Sequence, residues 1–175
     1  INGYRNFLID VVRECYNAGE YELADTYYSK LRTSTDPVFL ELDKPERFTL
    51  DIKDFILKET SERWTSPDVA RGDVSALLYS AFRNGLAHGN MDLYKSNLKN
   101  ARLVYDYFQS EMGKTRTVVA DRERMPMPEF IVMLEESFIR AMLDEASSIS
   151  ERRALWLCDV ELVSEMKLRT YDLLS

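Results

Sequence analysis

Apolar residues recur every three or four positions along almost the whole chain, and nowhere do they alternate as a half-buried strand requires. Phe7, Leu8, Val11, Val12 and Cys15 share one side of a helix expected over 4–16. Gly19, able to take positive φ, marks a tight corner after it. Tyr21, Ala24, Tyr28 and Leu31 define a second helix to about Arg32, folded back on the first, and Pro37 bars its continuation. The segment 33–45 carries two prolines and an apolar patch at Val38, Phe39, Leu40 and Leu42, and reads as a linker packed onto the domain. A third helix is expected over Arg47–Trp64, with Phe48, Ile52, Phe55 and Ile56 on one side.

Ser66-Pro67-Asp68 is a helix start: a capping hydroxyl, a proline that suits the first position, and a carboxylate for the positive helix end. The fourth helix runs from there to about His88, and Gly72 and Gly85 inside it predict close packing or a kink. After the Gly89-Asn90 corner a fifth helix spans Met91–Met112 and ends at Gly113. Residues 113–128 are the clearest break, expected as a mobile loop or a long solvated connection. Phe130, Leu134, Phe138, Ala141 and Met142 mark a sixth helix, Ser148 and Glu151 stand at capping-box spacing, and a last helix carries Ala154, Leu155, Cys158, Leu162, Met166 and Tyr171. The pattern predicts a single all-α domain over 1–175, with about seven helices in stacked antiparallel hairpins.

Gly19 at the corner, Tyr21 two positions later, the small Ala24 and Tyr28 one turn on resemble the tetratricopeptide (TPR) helical hairpin over residues 4–37, although Pro37 comes one residue late. Upstream, Leu8 stands where the family has a bulky aromatic, and Val11-Val12 where it has Leu-Gly. A weaker echo covers 78–108, with Ala101 and Tyr105 in the small and aromatic places, but Gly89 lies too far before Ala101. The resemblance implies an irregular helical repeat that buries its faces by stacking. It also implies that the first helix lines a concave groove for a partner peptide or helix, with recognition positions at Asn6, Ile9, Arg13, Tyr16 and Asn17.

Composition narrows the classes. Hydrophobic residues make up 45% and charged residues 30%, a globular balance, and 6 Gly with 5 Pro are few for the turns of an all-β fold. A net charge of −7 opposes general nucleic-acid binding and charge-driven attachment to anionic membranes. No apolar run nears the roughly 18–20 residues of a membrane span. The basic residues Lys114, Arg116, Arg122 and Arg124 share their window with Asp121 and Glu123, so they read as a solvated loop. The chain opens at Ile1 and closes at Ser175 straight after a helical run, which predicts a domain cut from a longer protein.

Chemical motifs are sparse. Cys15 and Cys158 lie far apart, without metal-ligand spacing, and read as packed thiols. His88 is the sole histidine, placed at a helix C-terminus that favours imidazolium, and the residues three and four before it are Gly85 and Asn84, so the Glu-x-x-His motif of di-iron bundles is absent. No Gly-rich phosphate loop appears: Gly113 precedes Lys114-Thr115, but Phe108 stands where the loop's first glycine belongs. Asp10 with Glu14, Glu135-Glu136 and Asp144-Glu145 are carboxylate pairs able to bind a cation or serve acid–base work, but in an acidic helical protein such pairs are far more often solvated faces. The sequence therefore predicts a non-catalytic interaction or scaffold module with a protein or peptide partner, no metal and no cofactor. The alternatives are a helical-bundle enzyme or small-ligand-binding domain built from dispersed carboxylates and tyrosines, or a purely structural spacer.

Overall fold

A computed structural model describes residues 2–33, 45–64, 66–115 and 127–174. Among the described residues all regular structure is helical, with eight α-helices and no strand. Where the pattern predicts one domain, the chain packs as two compact units, Ile1–Thr65 and Ser66–Ser175. Among the described residues no helix is long and apolar enough to cross a membrane.

The first unit begins with an antiparallel hairpin of α1 (Asn2–Asn17) and α2 (Tyr21–Thr33). Its corner closes by two bonds that satisfy the last carbonyls of α1, from Gly19 N–H to Tyr16 O (3.1 Å) and from Glu20 N–H to Cys15 O (2.9 Å). That geometry needs a left-handed residue, and Gly19 takes φ +83°. Leu8, Ile9, Val12 and Tyr16 of α1 pack with Ala24, Tyr28 and Leu31 of α2 and with Phe55 and Ile56 of α3 (Ile52–Ser61). Ala24 is fully buried, as close helix approach requires. The Tyr28 ring lies 4.6 Å from Phe55, and its hydroxyl donates to the Leu50 carbonyl at 2.8 Å. Burial pushes that phenol up to about 12.

The expected third helix over Arg47–Trp64 divides into a 3-10 turn, Pro45–Thr49, and α3. Asp51 causes the division: its carboxylate accepts the Asp54 N–H at 2.9 Å, which starts a new helix rather than continuing an old one. Arg47 pairs with Glu59 and Glu62, which ties the turn to α3. The linker 33–45 lies outside the described residues except at its ends.

The second unit holds α4 (Pro67–Ser80), α5 (Met91–Thr115), α6 (Phe130–Leu143), α7 (Ile149–Leu157) and α8 (Glu161–Leu174). Pro67 opens α4 with Asp68 in its first turn, but Ser66 makes no side-chain cap bond. The core gathers Val74 and Leu78 of α4, Ala101 and Val104 of α5, and Met133 and Phe138 of α6, with Leu155 and Val163 also buried. Phe82 meets Phe138 edge-on at 5.4 Å and lies 6.1 Å from Tyr94. Arg71 of α4 reaches Glu136 of α6 at 3.0 Å.

Three expectations need correction here. Helix α5 passes Gly113 and ends at Thr115. One last helix is really two, because Cys158–Val160 leave helical geometry, with Cys158 at ψ 140°, and Lys167 Nζ takes the Cys158 carbonyl at 2.6 Å. Of the expected loop 113–128, residues 113–115 are helical, 127–129 are irregular and 116–126 lie outside the described residues.

The capping box before α7 forms as its spacing requires. Glu151 N–H donates to Ser148 Oγ at 3.2 Å, and the Glu151 carboxylate accepts the Ser148 N–H. Ser148→Ala is expected to cost about 1 kcal/mol, read as a lowered urea midpoint with unchanged slope. An unchanged midpoint would show that the cap contributes nothing.

Candidate functional site

Helix α1 presents three strips. The core strip takes two of the five residues expected to line a groove: Ile9 and Tyr16 are buried against α2 and α3, so they are packing residues and not open recognition positions. The reason is that Phe55 and Ile56 of α3 join Ile9 and Tyr16 in one core, so this side of α1 is used for packing. Tyr16 also stands edge-on to Tyr21 at 5.1 Å, and burial raises its hydroxyl above the ordinary phenol value. The polar strip keeps the other three: Asn6 is exposed, and Arg13 and Asn17 are half-buried. Arg13 Nη2 is held by Asp10 at 2.8 Å and Glu14 at 3.3 Å, so the guanidinium bridges two like charges four positions apart, which would otherwise repel mildly.

The third strip is apolar and faces outward. Tyr4 and Phe7 are 59% and 58% exposed, three positions apart, and Val11 follows four positions later, half-buried. With the core strip, it widens the apolar arc of α1 well beyond what α2 and α3 cover. The sequence pattern assigns Phe7 and Val11 to the same stripe as Leu8 and Val12, and only packing separates the two sets.

In the second unit, polar side chains converge where α4 ends. Leu86 N–H bonds the Ala81 carbonyl five residues back, so Ala81–Gly85 form a π turn, followed by a 3-10 turn over Leu86–His88. Gly85 permits this. A Cβ there would stand 2.8 Å from the Tyr94 N and Cα, whereas the space beside Gly72 is open to 4 Å. From this turn Arg83 reaches the α6–α7 corner. Its Nη1 donates to Tyr79 Oη at 2.8 Å and lies 3.3 Å from Asp144 Oδ2, and its Nη2 donates to the Ala146 carbonyl at 2.9 Å. Tyr79 donates to Asp144 Oδ2, and Ala146 N–H donates to Asp144 Oδ1 at 2.9 Å. The Arg140 guanidinium covers the Tyr79 ring at 5.0 Å. Sequence reading notes Asp144 only as half of a carboxylate pair. The one available signal for its partners is Tyr79 and Arg83 four apart on a helix.

The electrostatics of this node favour a tie. The Tyr79 hydroxyl and then the Ala146 N–H hold Asp144 below the ordinary carboxylate range, while burial and then the bond to Asp144 raise Tyr79. Both shifts move away from neutrality, opposite to the tuning of an acid–base pair. His88 Nε2 lies 3.0 Å from Glu151 Oε1, and bonds from Ser148 and then from His88 lower Glu151.

For Asp144 the folded value lies below the unfolded one. Its stabilisation is therefore complete above the unfolded value, near pH 4, and is lost as pH falls through the depressed folded value. Asp144→Asn removes the ion, so its urea midpoint should lie below the parent's at neutral pH and the gap should narrow on acidification. A gap constant into the acid range would refute this assignment.

Both thiols are free. Cys15 packs beside the first core, and burial raises Cys158, whose Sγ donates to the Leu155 carbonyl at 3.0 Å. Among the described residues no three His, Cys, Asp or Glu side chains are placed to hold a metal ion. Comparison with protein-family models, curated proteins and solved structures finds no match.

Proposed function

We propose that this chain is a non-catalytic protein-interaction module whose first hairpin, TPR-like in its Gly19, Tyr21, Ala24 and Tyr28, receives an amphipathic helix of a protein partner. The observation that carries the reading is the outward pair Tyr4 and Phe7 on α1. Two large rings one turn apart on a packed helix offer an apolar ridge to a facing helix, and aromatic residues are the side chains that most often anchor interfaces. Asn6, Arg13 and Asn17, on the polar strip, would engage the partner's polar edge. Asp10 and Glu14 stay exposed beside the ridge although Arg13 bridges them, and would accept basic residues next to a partner's apolar stripe.

The test is selection of a displayed library of helical peptides on the chain, with counter-selection on Phe7→Glu. Circular dichroism checks that the variant keeps its helix content. The reading expects enriched peptides with apolar residues at i, i+3/i+4 and i+7 and with flanking Lys or Arg, and binding lost in the variant. Equal recovery on both proteins would remove α1 from the function.

A further inference from the structure

His88 closes the 3-10 turn that follows the π turn, and it is the chain's single histidine. Its Nε2 lies 3.0 Å from Glu151 Oε1. The same carboxylate serves the start of α7, where its Oε2 accepts the Ser148 N–H while the Glu151 N–H donates to Ser148 Oγ. Glu151 thus divides its two oxygens between a helix cap and a group that gains charge near neutral pH. An ordinary surface ion pair loses much of its attraction to the entropy of fixing two long side chains. Here the capping box already fixes one of them, and the Glu151 side chain is 20% exposed against 55% for His88.

We propose that His88 is a proton-operated clamp on the start of α7. Charged, it forms an ion pair with Glu151 that fastens the turn Leu86–His88 to the first turn of that helix. Neutral, it keeps only a hydrogen bond, and the first turn frays more. With nine residues α7 is too short to hold itself, so order at its start follows what is tied there. Glu151 stays ionised while the clamp works, because bonds from Ser148 and then from His88 hold its carboxyl below the ordinary range. The clamp closes as pH falls through the ordinary histidine range, near 6.5, and opens again only where Glu151 itself takes a proton, below about pH 4.

The groups on the neighbouring elements hold constant charge through that window. Arg83 of the π turn is engaged by Tyr79, Asp144 and the Ala146 carbonyl, and Arg152 of α7 by the Asp144 carbonyl. Guanidinium groups, that of Arg153 included, do not lose their proton in proteins. Asp144 is held below the ordinary carboxylate range, and Asp92 in the first turn of α5 is a carboxylate too. Burial pushes the Tyr94 phenol up to about 12 and raises the Cys158 thiol, so both stay neutral.

The test is a 1H–15N NMR titration of the chain from pH 8 to 5, with hydrogen exchange of the Arg152 amide, whose bond to the Ser148 carbonyl (3.1 Å) opens α7. The Ser148 and Glu151 amide signals should move in one step together with the His88 ring. Protection of the Arg152 amide, corrected for its intrinsic exchange rate, should rise between about 1.5-fold and fivefold toward pH 5, the worth of an exposed ion pair. His88→Gln retains a hydrogen-bond donor and should lose both the step and the rise. Glu151→Gln, which can still close the capping box, should keep the ring titration and lose the rise. Circular dichroism verifies that both variants fold. The proposal is overturned if the parent's Ser148 and Glu151 amides show no step, if Arg152 protection ignores pH, or if the rise persists in either variant. Because the parent titration decides by itself, misfolding of a variant does not rescue the proposal.

Discussion

Gly85→Ala should unfold the second unit at far lower denaturant than the parent, with a loss of about 3 kcal/mol or more. Its backbone, at φ −84° and ψ −78°, is one that alanine also adopts, so the cost is steric and not conformational. The new Cβ would meet Tyr94 N and Cα at 2.8 Å and Tyr94 Cβ at 3.0 Å. Two of those atoms are backbone at the start of α5, which cannot swing aside like the end of a long side chain. Relief requires α5 to move from the π turn, and that would open the contact of Phe82 with Tyr94 and strain the bond from Asn90 N–H to the Gly85 carbonyl (2.8 Å). Gly72→Ala is the internal control. It lies inside α4 with no atom within 4 Å of a new Cβ, so it should stabilise by roughly 0.5–1 kcal/mol through the gain in helix propensity. Urea titration of both variants gives opposite signs if the close approach is real. A Gly85→Ala midpoint within error of the parent would show that the approach is not there.

Phe55→Ala should cost the first unit about 3–5 kcal/mol, the usual range for deleting a fully buried ring. Phe55 has no exposed surface and lies 4.6 Å from Tyr28 and 5.8 Å from Phe48, so the cavity would open between all three helices of that unit. The surrounding rings are held from outside. Tyr28 is tied to the Leu50 carbonyl, and α3 is started by the Asp51 cap, so collapse into the space is limited. Phe7→Ala deletes the same ring from an exposed position and should change stability by less than about 0.5 kcal/mol. Comparable losses in the two variants, measured by urea unfolding of the whole chain, would contradict the division of α1 into buried and outward strips.

Legibility followed distance along the chain. The Gly19 corner, the Pro67-Asp68 start and the Ser148–Glu151 box each depend on residues within a few positions of one another, and each appears as its local chemistry requires. Local pattern also failed locally at Asp51, where one carboxylate accepting a nearby N–H outweighed an unbroken apolar rhythm and divided a helix. Gly72 and Gly85 look alike in sequence, both inside one helical run. Only the approach of Tyr94 makes one of them necessary. The candidate site was half readable for the same reason. Helical spacing puts Ile9, Arg13 and Tyr16 on one side of α1, but whether that side is a groove or a core depends on a third helix more than thirty residues later. Tyr79 and Asp144 are 65 positions apart, and no pattern within either helix announces their bond.

The sequence by itself determined that this chain is helical, where most of its helices begin and end, and which residues cap them. These outcomes rest on hydrogen bonds and steric limits that act within one or two turns of backbone. Tertiary structure alone decided that the chain packs as two units, that Ile9 and Tyr16 belong to a core, and that Tyr4 and Phe7 of α1 and Ile149 and Leu157 of α7 are left outside. Burial is a property of what arrives from elsewhere. A helix carries its apolar arc from the start, and its neighbours determine how much of that arc is used for folding and how much remains for another molecule.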